Sequence, residues 1–157
     1  MKQDRFLIAI LAGIGLLVVA AFVLFFVRQS NLNYVSDDTP EGVVQNFVLA
    51  LHKGDYEKAY AYLAKGENKP AYEDFRRPFA MKQVDISSSD VQITDTQILG
   101  DTATVGVLFS QFNGPFSSGG YRNSERAELK LEQNRWKIRQ MPYPYWYYDW
   151  YQTTPVK

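Results

Sequence analysis

The sequence lacks cysteine entirely and contains a single histidine, His52. The absence of thiols excludes disulfides, thiolate metal sites, a nucleophilic cysteine and the lipid-modified cysteine that lipoproteins need. One imidazole cannot form a histidine cluster or a bis-histidine haem site within the chain. The sequence therefore predicts no metal, no cofactor and no catalytic residue.

An excess of basic charge is also missing. The formal net charge of the 157 residues is zero, and beyond Asn31 there are 14 Lys and Arg against 16 Asp and Glu. A protein that binds nucleic acid usually carries a basic face that neutralises phosphates. We therefore expect no nucleic-acid partner.

Residues 6–27 lack any charged side chain, although 22% of the whole chain is charged. Twenty-two helical residues rise roughly 33 Å, enough to cross the hydrocarbon core of a bilayer. A buried helix of a soluble domain would normally keep a polar stripe, and this run has none. The sequence predicts a transmembrane helix over 6–27, after a short N-terminus of residues 1–5.

Charge at the two ends of this helix predicts its orientation. Lys2 and Arg5 precede it, whereas Arg28 is followed by Asp37 and Asp38. The positive-inside rule then places residues 1–5 in the cytoplasm and the rest of the chain outside, periplasmic or extracellular, on a single-pass anchor in the cell membrane. A cleaved signal peptide is the alternative, but the apolar run is long and no small-x-small cleavage site follows it.

Small residues within the apolar run suggest helix packing in the membrane. Such residues at close helical spacing let two helices approach each other. Gly and Ala are also common in membrane helices that pack against nothing in particular. The candidate positions for packing on other integral membrane subunits are Ala9, Ala12, Gly13 and Gly15.

After a polar linker over residues 28–38, the chain reads as helical. Thr39 and Pro40 suit the start of one helix, and Gly54 suits its end. Asp55 caps a second helix that we expect to run to Gly66. A third, shorter helix is predicted over residues 70–81, with Pro78 interrupting or ending it.

From Asp90 the apolar period changes from about 3.6 residues to 2, which indicates strands. The pattern predicts about four antiparallel strands joined by short turns, with Asp95 in a bulge or at a solvated edge and residues 113–120 in a loop. Helices followed by an antiparallel sheet predict an α+β domain over 39–140, with three helices packed on the sheet.

Three short motifs resemble the nuclear transport factor 2-like superfamily, and especially its bacterial secreted or membrane-anchored members. They are Thr39-Pro40-Glu41, Gly54-Asp55-Tyr56 and Trp136-Lys137-Ile138. The resemblance covers about 39–140 and implies a cone, in which a curved sheet wraps over helices around a pocket. The superfamily includes isomerases, dehydratases, polyketide cyclases, transport factors and scaffold domains, so the fold does not determine the function.

Enzymes of this kind need an ionisable base and a polarising group in the pocket. His52 is predicted at the exposed end of the first helix, beside Lys53, and therefore reads as a surface residue. The aspartates from Asp74 to Asp95 fall in caps or loops without an obvious partner base. We expect no enzyme.

The C-terminal tail, residues 141–157, is rich in aromatic side chains, with seven of them in the nine residues from 143 to 151. We expect so many rings to be covered rather than to lie free in water. They could fill the domain's own pocket or cover its sheet, bind a partner protein, or contact the lipid headgroups of the bilayer. The candidate partner-binding residues are Tyr143, Tyr145, Trp146, Tyr147, Tyr148, Trp150 and Tyr151.

These features together predict a single-pass, non-catalytic accessory or scaffold subunit of a larger membrane complex. Electron-transport, secretion and envelope assemblies all fit this interpretation. The alternative is an extracytoplasmic binding module that holds a small hydrophobic ligand or a peptide in the cone. The tail separates the two, because a tail that fills the cone leaves no room for a ligand.

Overall fold

The computed structural model describes residues 3–30, 33–66, 69–87, 89–111, 121–147 and 150. The chain forms two compact units, Met1–Asn33 and Tyr34–Lys157. The first contains one helix. The described residues of the second contain three helices followed by four strands, which is the α+β arrangement that the sequence predicts.

Helix α1 is Gln3–Ser30, so the helix predicted over 6–27 is confirmed and extends a few residues at each end. Its segment Phe6–Leu24 has a mean hydropathy of 3.0, and the side chains of this segment are exposed. Its length and composition suit a membrane span or a signal anchor. Gly13 and Gly15 lie in open space on this helix, and their packing on another helix stays a prediction.

Helix α2, Pro40–Lys53, begins and ends at the predicted residues. The Thr39 hydroxyl accepts a hydrogen bond from the Gly42 amide, and Gly54 adopts a left-handed φ of 71° at the other end. A side chain in that conformation would be strained, which is why glycine ends the helix here. The helix is nearly surrounded by protein along most of its length.

The end of the predicted linker is fixed to α2. The buried Asn46 side chain accepts from the Val35 amide at 2.9 Å and donates to the Val35 carbonyl at 2.8 Å. Gly42 allows the chain to pass closely, because a Cβ at this position would lie 1.9 Å from the Ser36 carbonyl oxygen. Residues 34–38 of the predicted linker therefore belong to the second unit, and residues 28–30 belong to helix α1.

Helix α3 is Tyr56–Ala61, which is shorter than predicted. The helix ends early because the next residues pair with the sheet: the Ile138 amide donates to the Tyr62 carbonyl at 2.8 Å, and the Ala64 amide donates to the Ile138 carbonyl at 2.7 Å. The prediction that helix continues to Gly66 is therefore wrong. Leu63, read from the pattern as a helical core position, is buried from this extended segment.

Helix α4 is Tyr72–Ala80, within the predicted range of 70–81. Pro78 lies inside it and the helix continues for only two further residues, in accord with the expected end near proline. Phe75 and Phe79 face the core, and Phe75 is fully buried. Glu73 and Asp74 form exposed ion pairs with Arg76 and Arg77 on the outer side of the helix.

The strands are β1 (Ser89–Leu99), β2 (Thr102–Gln111), β3 (Tyr121–Glu132) and β4 (Arg135–Gln140). They form one antiparallel sheet in the order β1-β2-β3-β4. The register of β1 shifts between Ile93 and Thr96, which confirms the predicted bulge at Asp95. Gly106 on β2 makes room for it, because a Cβ there would lie 2.1 Å from the Asp95 carboxylate. The loop predicted over 113–120 lies outside the described residues.

One core joins the helices to the inner face of the sheet. Apolar residues at every second position of β2 form the inward row that a period of two predicts. Ala103, Val105, Val107 and Phe109 are each at most 5% exposed. Polar residues of β3 such as Arg126 and Glu128 are exposed on the other face. The fold is the open, curved α+β cone that the resemblance implies.

Candidate functional site: the aromatic tail and the mouth of the cone

The tail turns back into the domain as soon as β4 ends. Met141 and Pro142 are buried, and the peptide bond between Tyr143 and Pro144 is cis. Tyr143 points outward with 74% of its surface exposed, whereas Tyr145 is fully buried. The Tyr145 amide donates to the Pro142 carbonyl at 3.0 Å, which closes the turn between them.

The Tyr145 ring lies between the sheet and the end of α2. It stacks on Phe109 of β2, with ring centroids 5.6 Å apart and an angle of 25° between the planes. The imidazole of His52 meets it edge-on at a centroid distance of 5.8 Å. A side chain of the tail therefore occupies the inside of the cone next to the inner face of β2.

The buried Tyr145 hydroxyl has three neighbours: His52 Nε2 at 2.8 Å, Ser89 Oγ at 3.1 Å and the Ser89 carbonyl at 3.2 Å. Ser89 Oγ donates its own proton to the Ile86 carbonyl at 2.8 Å, so it can only accept from the phenol. If His52 carries its proton on Nε2, it donates to the phenol oxygen and the phenol donates to Ser89. The phenol oxygen and the phenol proton then each have a hydrogen-bond partner.

Burial raises the pKa of Tyr145 to about 12, although the hydrogen bond with Ser89 partly opposes this. Burial also lowers the pKa of His52, against the opposing influence of Asp90. Both shifts favour the neutral form. His52 is exposed as a residue, as predicted, but the sequence did not reveal that its ring holds the phenol, since the two residues are 93 positions apart.

The raised pKa of Tyr145 predicts a loss of stability in alkali. Below pH 10 the phenol is neutral in both states; above it, the unfolded chain loses the proton first, so stability falls as the pH rises from about 10 to 12. At about 1.4 kcal/mol for each pKa unit, and because the folded phenol is still mostly protonated at pH 11.5, this one group contributes roughly 2 kcal/mol to the loss by that pH. Urea unfolding of the intact chain in detergent micelles at pH 8 and at pH 11.5 measures it.

Tyr145→Phe is the control for this prediction, because it keeps the ring and removes the titrating group. The other tyrosines and the lysines titrate in both proteins, so the difference between them isolates Tyr145. An equal loss of stability in the two proteins would contradict the buried, neutral phenol.

A second ring of the tail enters the core beside α4. Trp150 is 4% exposed, and its ring centroid lies 4.8 Å from that of Phe75 and 5.6 Å from that of Phe79. Trp146 and Tyr147 are half-buried and pack against Trp150 at 5.2 and 6.2 Å. The tail and α4 therefore form one aromatic cluster.

The indole of Trp150 also completes the hydrogen bonding of α4. Pro78 has no amide proton, so the Asp74 carbonyl, four residues earlier, loses its usual helical partner. Trp150 Nε1 donates to that carbonyl at a distance of 3.4 Å. The tail thus supplies the donor that proline removes from the helix.

These contacts separate the seven tail residues by environment. Tyr145 and Trp150 are used inside the domain, Trp146 and Tyr147 are partly covered, and Tyr143 is exposed. Tyr148 and Tyr151 lie outside the described residues. Of the interpretations left open by the sequence, filling of the domain by its own tail is the one with direct contacts, and binding of a partner by the tail stays a prediction.

Two open grooves remain near the tail. One, of about 420 Å³, has an apolar floor of Leu51, Phe79 and Val84 and a polar rim that includes His52 and Asp85. The other, of about 430 Å³, lies between Trp150 and α4. Both are open to solvent, and neither is the enclosed pocket that a cone-shaped binding protein would offer.

The inner side of the sheet carries one carboxylate that the sequence analysis missed. Glu125 pairs with Val107 across β2 and β3, and residues directly opposite each other share a face. Glu125 is half-buried and accepts a hydrogen bond from the Asn123 side chain. In the sequence of β3, apolar and polar residues alternate clearly only from Arg126 onward, so the pattern gives no signal at Glu125.

The closest partner of His52 is a phenol whose pKa is raised, which is the opposite of an activated nucleophile. Within the described ranges, no group of three or more His, Asp and Glu side chains is placed to hold a metal ion.

Comparisons with known proteins reveal structural likeness without close sequence relatives. No family model matches the chain, and no curated protein matches it. Solved structures similar to it include a SEC-C motif protein from Rhodopseudomonas palustris, with 15% identity, a TM-score of 0.49, and coverage of 68% of this chain and 79% of that one.

Two further structures are similar to this chain, one named as NTF2-like and the other named as an association domain. A candidate NTF2-like transpeptidase from Campylobacter jejuni has 20% identity and a TM-score of 0.46, covering 66% of this chain and 99% of that one. A candidate calcium/calmodulin-dependent protein kinase type II association domain from Thiobacillus denitrificans has 14% identity and a TM-score of 0.47, covering 64% and 89%. The helical hairpin, the short third helix and the four-stranded antiparallel sheet give this chain the nuclear transport factor 2-like fold.

Proposed function

We propose that the protein is a membrane-anchored, non-catalytic accessory or scaffold subunit of a larger membrane protein complex. In this proposal α1 crosses the membrane once and the domain lies outside the cytoplasm, where it docks on partner subunits. Lipid contacts α1, and integral membrane subunits are the partners.

The observation that carries this proposal is the buried Tyr145, which stacks on Phe109 inside the cone. A binding protein or an isomerase-like enzyme of this fold needs that space for its ligand. Here the chain fills it with its own tail and satisfies the hydroxyl with His52 and Ser89. Because the interior of this domain is filled by packing, partner proteins would bind to its outer surface.

The second candidate is a module that binds a small hydrophobic ligand or a peptide. The groove of about 420 Å³ beside His52 favours it, because apolar side chains line the floor of this groove and polar groups line its rim. A ligand there would lie on the mouth of the cone rather than within it.

Purification from native membranes in a mild detergent, followed by mass spectrometry, tests the proposal. We expect partner subunits in fixed stoichiometry with the chain. A monomer that carries a lipid or a peptide would instead support the second candidate. Deleting the tail is unsuitable as a control, because the deletion removes Tyr145 and Trp150 from the core.

Point substitutions test the role of the tail more cleanly. Tyr143 is exposed, so Tyr143→Ala removes an aromatic surface and leaves the core intact. Met81→Ala is the matched control on another exposed apolar side chain. If the tail binds a partner, Tyr143→Ala weakens the complex about tenfold or more and Met81→Ala does not. If both variants retain the partners equally, the exposed ring of the tail does not take part in the interface.

A further inference from the structure

The chain enters the domain beside the end of α2. Tyr34, the first residue of the second unit, packs its ring against Lys58 and Lys53, whose ammonium nitrogens lie 3.3 and 4.7 Å from the ring centroid. The Tyr34 hydroxyl donates to the Asp55 carboxylate at 3.3 Å. Lys53 directly follows His52. The entry of the chain is therefore fixed at the join between α2 and α3.

The aromatic tail leaves the core at the same end. His52 Nε2 lies 2.8 Å from the Tyr145 hydroxyl, and Tyr143, two residues before Tyr145, is 74% exposed. Met81 is 66% exposed and precedes Lys82, which lines the groove of about 420 Å³ together with His52. The mouth end of the domain, marked by His52, Met81 and Tyr143, thus carries two large apolar side chains that are exposed.

The far end of the sheet is apolar as well. Strand β1 begins at Ser89, whose carbonyl accepts from the Tyr145 hydroxyl, and ends at Leu99. Leu99 is 83% exposed and its neighbour Ile98 is 57% exposed. At about 3.3 Å for each residue, this strand extends roughly 30 Å away from the mouth end. Exposed apolar side chains alone therefore do not select one end as a contact surface.

The length of the chain selects the mouth end. Helix α1 ends at Ser30, and Tyr34 follows four residues later. Four residues span at most about 14 Å, whatever path they take. Because α1 crosses the membrane in the proposed function, Tyr34 and the mouth end lie within reach of the lipid headgroups. The tip of the sheet at Leu99 is the end farther from this attachment.

We propose that the mouth end of the domain contacts the headgroup layer of the bilayer through Tyr143 and Met81. Tyrosine suits this place, because its ring is apolar and its hydroxyl can bond to water or to headgroups. The lipid covers two side chains that the domain itself leaves exposed. This inference rests on the membrane crossing in the proposed function and adds a second contact with the membrane.

Site-specific fluorescence tests this contact on the intact chain, reconstituted alone in phosphatidylcholine vesicles. Tyr143→Cys, Met81→Cys and the control Leu99→Cys each provide one thiol for a fluorescent label, because the chain has no native cysteine. A lipid with a spin label near its headgroup, present in both leaflets, quenches nearby labels whichever way the chain inserts. We expect quenching at positions 143 and 81 to be at least about threefold stronger than at position 99. Equal quenching at the three positions, or the strongest quenching at position 99, would overturn the proposal.

Native membranes distinguish lipid from a partner subunit at the mouth end. If the labels at positions 143 and 81 are not quenched in vesicles, but their thiols react with maleimide more slowly in native membranes than in vesicles, a partner protein covers this end. The lipid contact is then wrong and the proposed function stands. Strong quenching at both positions without any co-purifying subunit would support the lipid contact and contradict the proposed function.

Discussion

Tyr145→Ala should lower the free energy of unfolding of the domain by about 3–5 kcal/mol. The substitution removes a fully buried ring from its stack on Phe109 and leaves a cavity between the sheet and α2. It also leaves Ser89 and His52 without the phenol that links them. Urea unfolding of the intact chain in detergent micelles, followed by near-ultraviolet circular dichroism, measures the loss.

Two variants distinguish this cause from a general effect of changing the tail. Tyr145→Phe keeps the stacked ring and should lower the free energy of unfolding by about 1–2 kcal/mol, because it leaves buried polar partners without a hydrogen bond. Tyr143→Ala, two residues away and largely exposed, should cost less than about 0.5 kcal/mol. Equal costs for the two alanine variants would show that the tail is not part of the core.

Trp150→Ala should cost a similar amount, about 3–5 kcal/mol, through the loss of its packing on Phe75 and Phe79. A smaller part of this loss of stability comes from the hydrogen bond that the indole N–H donates. Trp150→Phe keeps most of the aromatic contact but leaves the Asp74 carbonyl without its donor. We expect that variant to cost about 1–3 kcal/mol, measured by the same urea unfolding.

Pro78 provides the internal control for this explanation. Pro78→Ala restores an amide at the position that normally bonds to the Asp74 carbonyl. In that background the helix can satisfy the carbonyl by itself, so Trp150→Phe should cost less than it does beside proline. A double-mutant cycle measures the difference, with an expected coupling of about 1 kcal/mol. Additive costs would contradict the compensation between Pro78 and Trp150.

Much of this fold follows from local sequence signals. Thr39, Pro40 and Gly54 define α2 because caps and proline act over a few residues. The alternation in β2 predicts its buried row because one face of the strand packs on helices. The signal for the bulge is also local, because Asp95 has a polar residue on each side, Thr94 and Thr96, which interrupts the alternation of β1.

The parts that the sequence did not reveal depend on contacts between distant residues. The early end of α3 results from pairing with Ile138, more than 70 residues away, which overrides the helical pattern up to Gly66. The partnership of His52 with Tyr145, and that of Trp150 with the carbonyl orphaned by Pro78, have no periodic signature. The high aromatic content of the tail indicated that its rings are covered, but it did not indicate which rings are buried in the domain.

Cysteine labelling tests most directly whether the tail fills the cone. Because the chain has no native cysteine, only the introduced thiol reacts. Ser89→Cys places a thiol of similar size beneath the Tyr145 hydroxyl, and Ser87→Cys places one at an exposed position two residues away. If the tail is packed as described, maleimide modifies the intact chain at position 89 at least about tenfold more slowly than at position 87, and Tyr145→Ala removes the difference. Equal labelling rates at the two positions with the native tail would show an open cone and contradict the account.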